Sequence, residues 1–183
     1  MENINILKNG VRILRPHEFR AIYNAIPKDE HRDKFEALLY TGCRYNELRW
    51  LYKNPNNFDG HTIFMPSRKA KARHKDRYIR LNNSGKRAVR YFLRCKTNLP
   101  AHPGWDENLK RWCNIAGVDR QGVSCKTTRR TYESWLTTMY PNNFQHIFLS
   151  FGHTDKVSME YYLMLPFNEQ DKEEMKFYTD GWI

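Results

Sequence analysis

A short β-type interruption inside an otherwise helical pattern is what most narrows the folds open to this chain. Asn54-Pro55-Asn56-Asn57 and Asp59-Gly60 are turn residues, and the run Thr62-Ile63-Phe64-Met65 that follows is β-type. Tyr78-Ile79-Arg80-Leu81 repeats that character, and between the two runs stands Arg68-Lys69-Ala70-Lys71-Ala72-Arg73-His74-Lys75-Asp76-Arg77. The pattern predicts an antiparallel hairpin with a tip of lysine and arginine.

Helical spacing surrounds it on both sides. Pro16 opens a helix over His17 to Ile26, as proline does in a first turn. Phe35, Leu38 and Leu39 share one face of a second helix, which Gly42 ends as a C-cap. A third runs from about Tyr45 to Tyr52, with Leu48 and Leu51 inward. Beyond the hairpin, helices are expected over Lys86 to Lys96, Trp105 to Ala116, Thr127 to Met139, Phe144 to Ser150, around Val157 to Leu163, and Glu169 to Tyr178. The fold class that results is mainly α with a small antiparallel β-sheet, an α+β chain.

The 183 residues suit one large domain, and 40% hydrophobic with 14% aromatic residues is enough to bury a core. A formal net charge of +11 says little about fold but favours polyanions, above all nucleic acid. Cys43, Cys95, Cys113 and Cys125 are scattered without a CxxC pair, so neither a disulfide framework nor a zinc ribbon is expected. Free thiols, the lack of a secretory apolar region and the lack of any membrane-length apolar run predict a soluble, cytoplasmic protein.

Three short segments carry candidate chemistry. In Thr41-Gly42-Cys43-Arg44-Tyr45-Asn46-Glu47-Leu48, a helix ended by glycine is followed at once by another, which sets Arg44 at the second helix's N-terminus. A backbone dipole and free N–H groups favour an anion there, and a guanidinium adds a bidentate clamp. Glu47, three residues on, can hold Arg44 or cap the helix. By themselves these eight residues read first as an ordinary surface Arg–Glu pair. In Lys126-Thr127-Thr128-Arg129-Arg130, Lys126 and Arg129 lie three apart on one helical face, while Arg130 points away to solvent or flanking DNA. The third segment is Phe151-Gly152-His153-Thr154-Asp155, with Tyr161 and Tyr162 after it.

The order of these features resembles the catalytic domain of the tyrosine recombinases, the phage, archaeal viral and Xer-type integrases and resolvases, from about Arg15 to Pro166. Arg44 matches the family's first arginine in its TGxRxxEL setting, and Arg129 matches the second. His153 matches the histidine of the LGH box, although Ser150-Phe151 stands where the usual run into glycine would be. Tyr162, nine positions after that histidine, matches the nucleophile, with Tyr161 as the second candidate. Lys71 is the first choice for the hairpin lysine, ahead of Lys69 and Lys75. Lys126 departs from the histidine most members carry, a version similar to some archaeal viral integrases and to type IB topoisomerases.

The resemblance implies DNA strand transfer by a site-specific recombinase (integrase). Tyr162 attacks a backbone phosphate, giving a 3′-phosphotyrosyl bond and a free 5′-hydroxyl, with Arg44, Lys126, Arg129 and His153 around the phosphorus and Lys71 as general acid. It implies no cofactor and no metal, double-stranded DNA as partner, and a homotetramer on that DNA. The family's N-terminal DNA-binding domain is not expected within this sequence, so residues 1–183 read as a single catalytic domain, either a fragment of a longer protein or a minimal one. Residues 167–183 form an apolar tail that docks either on a neighbouring protomer or on its own domain. Two rivals stand beside this reading, a type IB topoisomerase-like nicking-closing enzyme and a DNA-binding module without catalysis.

Overall fold

The computed structural model describes residues 5–67, 76–153 and 165–183, and these are mainly helical with two small antiparallel sheets. The chain opens with strands β1 (Ile6–Lys8) and β2 (Val11–Ile13), then helices α1 (Pro16–Ala25), α2 (Asp29–Thr41) and α3 (Tyr45–Lys53). Strands β3 (Thr62–Met65) and β4 (Arg77–Arg80) pair next, Thr62 opposite Arg80 and Met65 opposite Arg77. Helices α4 (Asn83–Arg94), α5 (His102–Ala116), α6 (Thr127–Met139), α7 (Phe144–Phe151) and α8 (Glu169–Thr179) complete it. The α+β class expected from the sequence is what the structure has. The helix expected around Val157 to Leu163 lies outside the described residues, as do the hairpin-tip residues 68–75.

The first hairpin was not anticipated. Asn9 and Gly10 both take positive φ, 48° and 73°, the turn chemistry that closes a two-residue hairpin. Its exit is fastened to α6, where the Leu14 amide donates to Thr131 Oγ1 at 3.0 Å and Trp135 Nε1 donates to the Leu14 carbonyl at 3.0 Å.

Helix α6 runs through the middle, against α2, α7, α8 and β2, and ten of its thirteen residues are buried. Large rings fill the space around it. Phe19 stacks on Phe35 with centroids 4.6 Å apart, and Trp135 lies 5.0 Å from Tyr178. Trp105, Trp112, Trp135 and Trp182 are all buried. The four cysteines are free and buried. Among the described residues no helix is long and apolar enough to cross a membrane.

In this single chain residues 167–183 pack on their own domain. Phe167, Met175, Tyr178 and Trp182 are buried in the core, and Arg15 of α1's N-cap pairs with the buried Asp171 of α8 while donating to the Pro166 carbonyl at 3.1 Å. Asn82 donates to the carbonyls of Tyr178 and Asp180, at 2.9 and 3.0 Å. Removing a buried tryptophan leaves a cavity as well as losing transfer energy, so Trp182→Ala is expected to cost about 3–5 kcal/mol in urea unfolding. A loss below about 1 kcal/mol would mean that the tail is not part of the core.

Candidate functional site

Two helix ends prepare the site. Helices α2 and α7 both stop at a left-handed glycine, Gly42 (φ 55°) and Gly152 (φ 68°), which leaves terminal carbonyls to be satisfied. Arg129, from the first turn of α6, reaches between them. Its guanidinium donates to the Gly42 carbonyl at 2.5 Å and the Phe151 carbonyl at 2.6 Å, and lies 5.1 Å over the Phe151 ring. The approach is close enough that a Cβ on Gly42 would sit 2.5 Å from that ring. Burial and the neighbouring charge of Arg44 lower the Arg129 pKa to about 10, which leaves it a cation at neutral pH.

Arg44 is the residue before α3, and Glu47 does both things expected of it. The Arg44 amide donates to Glu47 Oε2 at 2.8 Å and the Arg44 guanidinium to Glu47 Oε1 at 2.9 Å. A second arginine was missed. Arg77, at the start of β4, donates in a fork to both Glu47 oxygens at 3.1 and 2.7 Å, and through Nε to the Ser150 carbonyl at 3.1 Å. The two-residue period of β4 carries the signal, since Arg77 and the fully inward Ile79 share a face. Burial alone would raise the Glu47 pKa, but the Arg77 hydrogen bonds and charge and the Arg44 amide outweigh it, and the value falls to about 2. Arg44 also donates to the Gly152 carbonyl at 3.3 Å, and its side chain is 42% exposed, so it retains donors for a ligand.

Arg44, Lys126, Arg129 and His153 line one cleft of about 750 Å³, joined by Arg77, Arg130, His102 and Cys125. Its lining carries five permanent cations (Arg44, Arg77, Lys126, Arg129, Arg130) against one carboxylate, Glu47, a balance that suits an anion. Arg130 corrects the expectation that it faces away. It is part-buried, turned towards Glu133 at 3.7 Å, and lines the same cleft. His102 was also missed. Its Nε2 lies 3.0 Å from Asn46 Oδ1 and its Nδ1 3.4 Å from Cys125 Sγ, with the ring edge-on to Tyr45.

Glu133 went unread as well. Its carboxylate is fully buried on α6 and contacts Nε2 of His153. The backbone of His153 caps α7 by donating to the Phe148 carbonyl at 3.1 Å. Pro66 and Ser67, at the end of β3, lie on the cleft rim, and the Ser67 amide donates to Asp76 Oδ1 at 2.7 Å across the hairpin base. Tyr162, Tyr161, Lys71, Lys69 and Lys75 lie outside the described residues. Among the described residues no cluster of His, Cys, Asp or Glu could hold a metal ion. No protein-family model matches the chain, and no curated protein matches it.

The Glu47 pairs predict an acid dependence. A carboxyl whose pKa falls from 4.5 to about 2 on folding contributes stability in full above pH 4.5, and that stability is lost as the pH drops through 2. Denaturant unfolding between pH 6 and pH 2 (about one point per half unit) should therefore show Glu47→Gln clearly weaker than the parent at the upper end, with the gap closing towards pH 2. A gap independent of pH would mean that the Arg77–Glu47–Arg44 contacts add nothing electrostatic.

Proposed function

We propose that the chain transfers DNA strands through a covalent tyrosine intermediate, as a site-specific recombinase. The observation that carries this is the meeting of Arg44, Lys126, Arg129 and His153 in one cation-rich cleft, from segments as far apart as residues 44 and 153. Convergence of that kind suits a reaction that asks for positioning and charge. Two guanidiniums and an ammonium can together surround the non-bridging oxygens of one phosphate, where negative charge builds as a fifth ligand joins phosphorus, with the imidazole beside them.

In this reading the phenol oxygen of Tyr162 attacks the phosphorus, the bond to the 5′-oxygen breaks, and Lys71 gives that oxygen its proton. A free phenol has a pKa of about 10, so the attack draws on the cations of the cleft and on a proton acceptor such as His153. The phosphotyrosyl bond keeps the energy of the bond that was cut, and a returning 5′-hydroxyl reverses the step. Double-stranded DNA is the partner, held through its phosphates, and affinity should fall steeply with salt. The tetramer belongs to the same reading, but Met175, Tyr178 and Trp182 are buried in their own domain, so its contacts would come from other surfaces.

Lys126 on the cleft wall favours a second reading, a type IB topoisomerase-like nicking-closing enzyme. Site dependence separates them, since relaxation of any supercoiled plasmid by the intact protein would favour the topoisomerase.

The test is a nicked suicide duplex bearing the attachment sequence, assayed for a protein–DNA adduct resistant to SDS. Arg44→Ala and Arg129→Ala should each slow adduct formation by about 10²–10³-fold, or about 2.7–4 kcal/mol of barrier. Tyr162→Phe should abolish it. An adduct that survives Tyr162→Phe and vanishes in Tyr161→Phe moves the nucleophile, and no adduct under any condition leaves a DNA-binding module.

A further inference from the structure

A fully buried carboxylate beside a cation-rich cleft needs a reason. Glu133 stands one helical turn beyond Arg129 on α6, with its side chain 0% exposed. Burying an ion that deep is costly unless it is paired. Around it are His153 Nε2 in direct contact, Arg130 Nη1 at 3.7 Å, and Lys8 of β1. Burial lowers the Lys8 pKa to about 8, with Glu133 pulling it up and Arg130 pushing it down, which puts all three groups within electrostatic reach of one another.

The imidazole of His153 is held on more than one side. Its backbone is tied to the end of α7, its ring lies 5.1 Å from the Phe148 ring, and its side chain is 14% exposed. Nε2 is a buried atom, turned inward against the carboxylate. The ring nevertheless belongs to the lining of the cleft.

We infer that Glu133 is the positioning residue of this site: it accepts the Nε2–H of His153, fixes the neutral ring in the Nε2–H tautomer, and so presents the Nδ1 lone pair to the reacting groups. The assignment rests on the strand-transfer reading for its chemical purpose, although the tautomer can be tested without it. In the reaction, Nδ1 takes the proton leaving the tyrosine hydroxyl, and the imidazolium formed has its charge balanced by Glu133 on the opposite nitrogen. With no carboxylate on Nε2, either nitrogen can carry the proton, and the fraction of rings able to accept at Nδ1 falls.

The experiment is a long-range ¹H–¹⁵N correlation of the histidine rings in the full chain, at a pH where the rings are neutral, with His153→Gln to assign the signal. The parent should show His153 as the Nε2–H tautomer. Glu133→Gln should mix or reverse it, and Glu133→Asp should restore it. A parent ring in the Nδ1–H tautomer, or a tautomer unchanged in Glu133→Gln, overturns the proposal. If Glu133→Gln fails to fold, Glu133→Ala is read in its place, and a tautomer the same as the parent's there overturns the proposal. On a nicked suicide duplex, Glu133→Gln should slow adduct formation at least tenfold, part of the 10²–10⁴-fold typical of a proton-transfer group, while duplex Kd stays within about twofold. A loss of affinity equal to the loss of rate would make Glu133 merely structural and overturn the proposal. If the tautomer behaves as expected and the parent gives no adduct at all, Glu133 still holds His153 and only the strand-transfer reading falls.

Discussion

The site depends on one buried guanidinium. Arg129 answers the terminal carbonyls of α2 and α7 at once, each at the negative end of its helix dipole. A cation with so little exposure would be costly in an apolar core, but two helix ends supply what water would otherwise give. The consequence is geometric. The ends of α2 and α7 are drawn to the same point, and so are Arg44, which follows α2, and His153, which follows α7. Replacing Gly42 would strain its left-handed backbone and drive a Cβ into Phe151, so the glycines are part of the same device.

A second layer keeps these charges apart from collapse. Glu47 sits between Arg44 and Arg77, and Glu133 sits behind His153 and Arg130. Each carboxylate lies in or behind the wall rather than across the opening, so the cations are oriented without being neutralised towards the ligand side. The same contacts bind β4 to α7 through Arg77 and Ser150, and Ser150 Oγ also accepts the Arg80 amide at 3.0 Å. The base of the hairpin that carries Lys69, Lys71 and Lys75 is thereby set at the rim of the cleft.

Much of the framework was legible because it is encoded within a few residues. The span of α6, Thr127 to Met139, follows from apolar spacing, Gly42 from its C-cap role, and the Arg44–Glu47 contact from an interval of three along one helix. The opening hairpin escaped notice although Asn9-Gly10 is a hairpin turn signal, because its strands are only three residues each. Arg77 looked like one more cation in a basic run, and Glu133 was not read at all. Nothing local distinguishes them, since Arg77 meets Glu47 across 30 residues of chain. Arg130 was assigned to solvent from its angle on the helix, but the Glu133 carboxylate one turn on draws it back towards the cleft.

What the sequence determined by itself was the α+β framework, most helix ends (though α4 starts at Asn83 and α5 at His102, three residues ahead of the expected Lys86 and Trp105) and the order of the candidate residues, since caps, periodicity and turn chemistry act over one or two turns. The tertiary structure decided which charges share a cleft and that the apolar tail docks on its own domain. Those outcomes rest on long-range contacts such as Arg129 with Gly42, 87 positions apart. Ion pairing and burial depend on distance in space, and only the packed chain sets that distance.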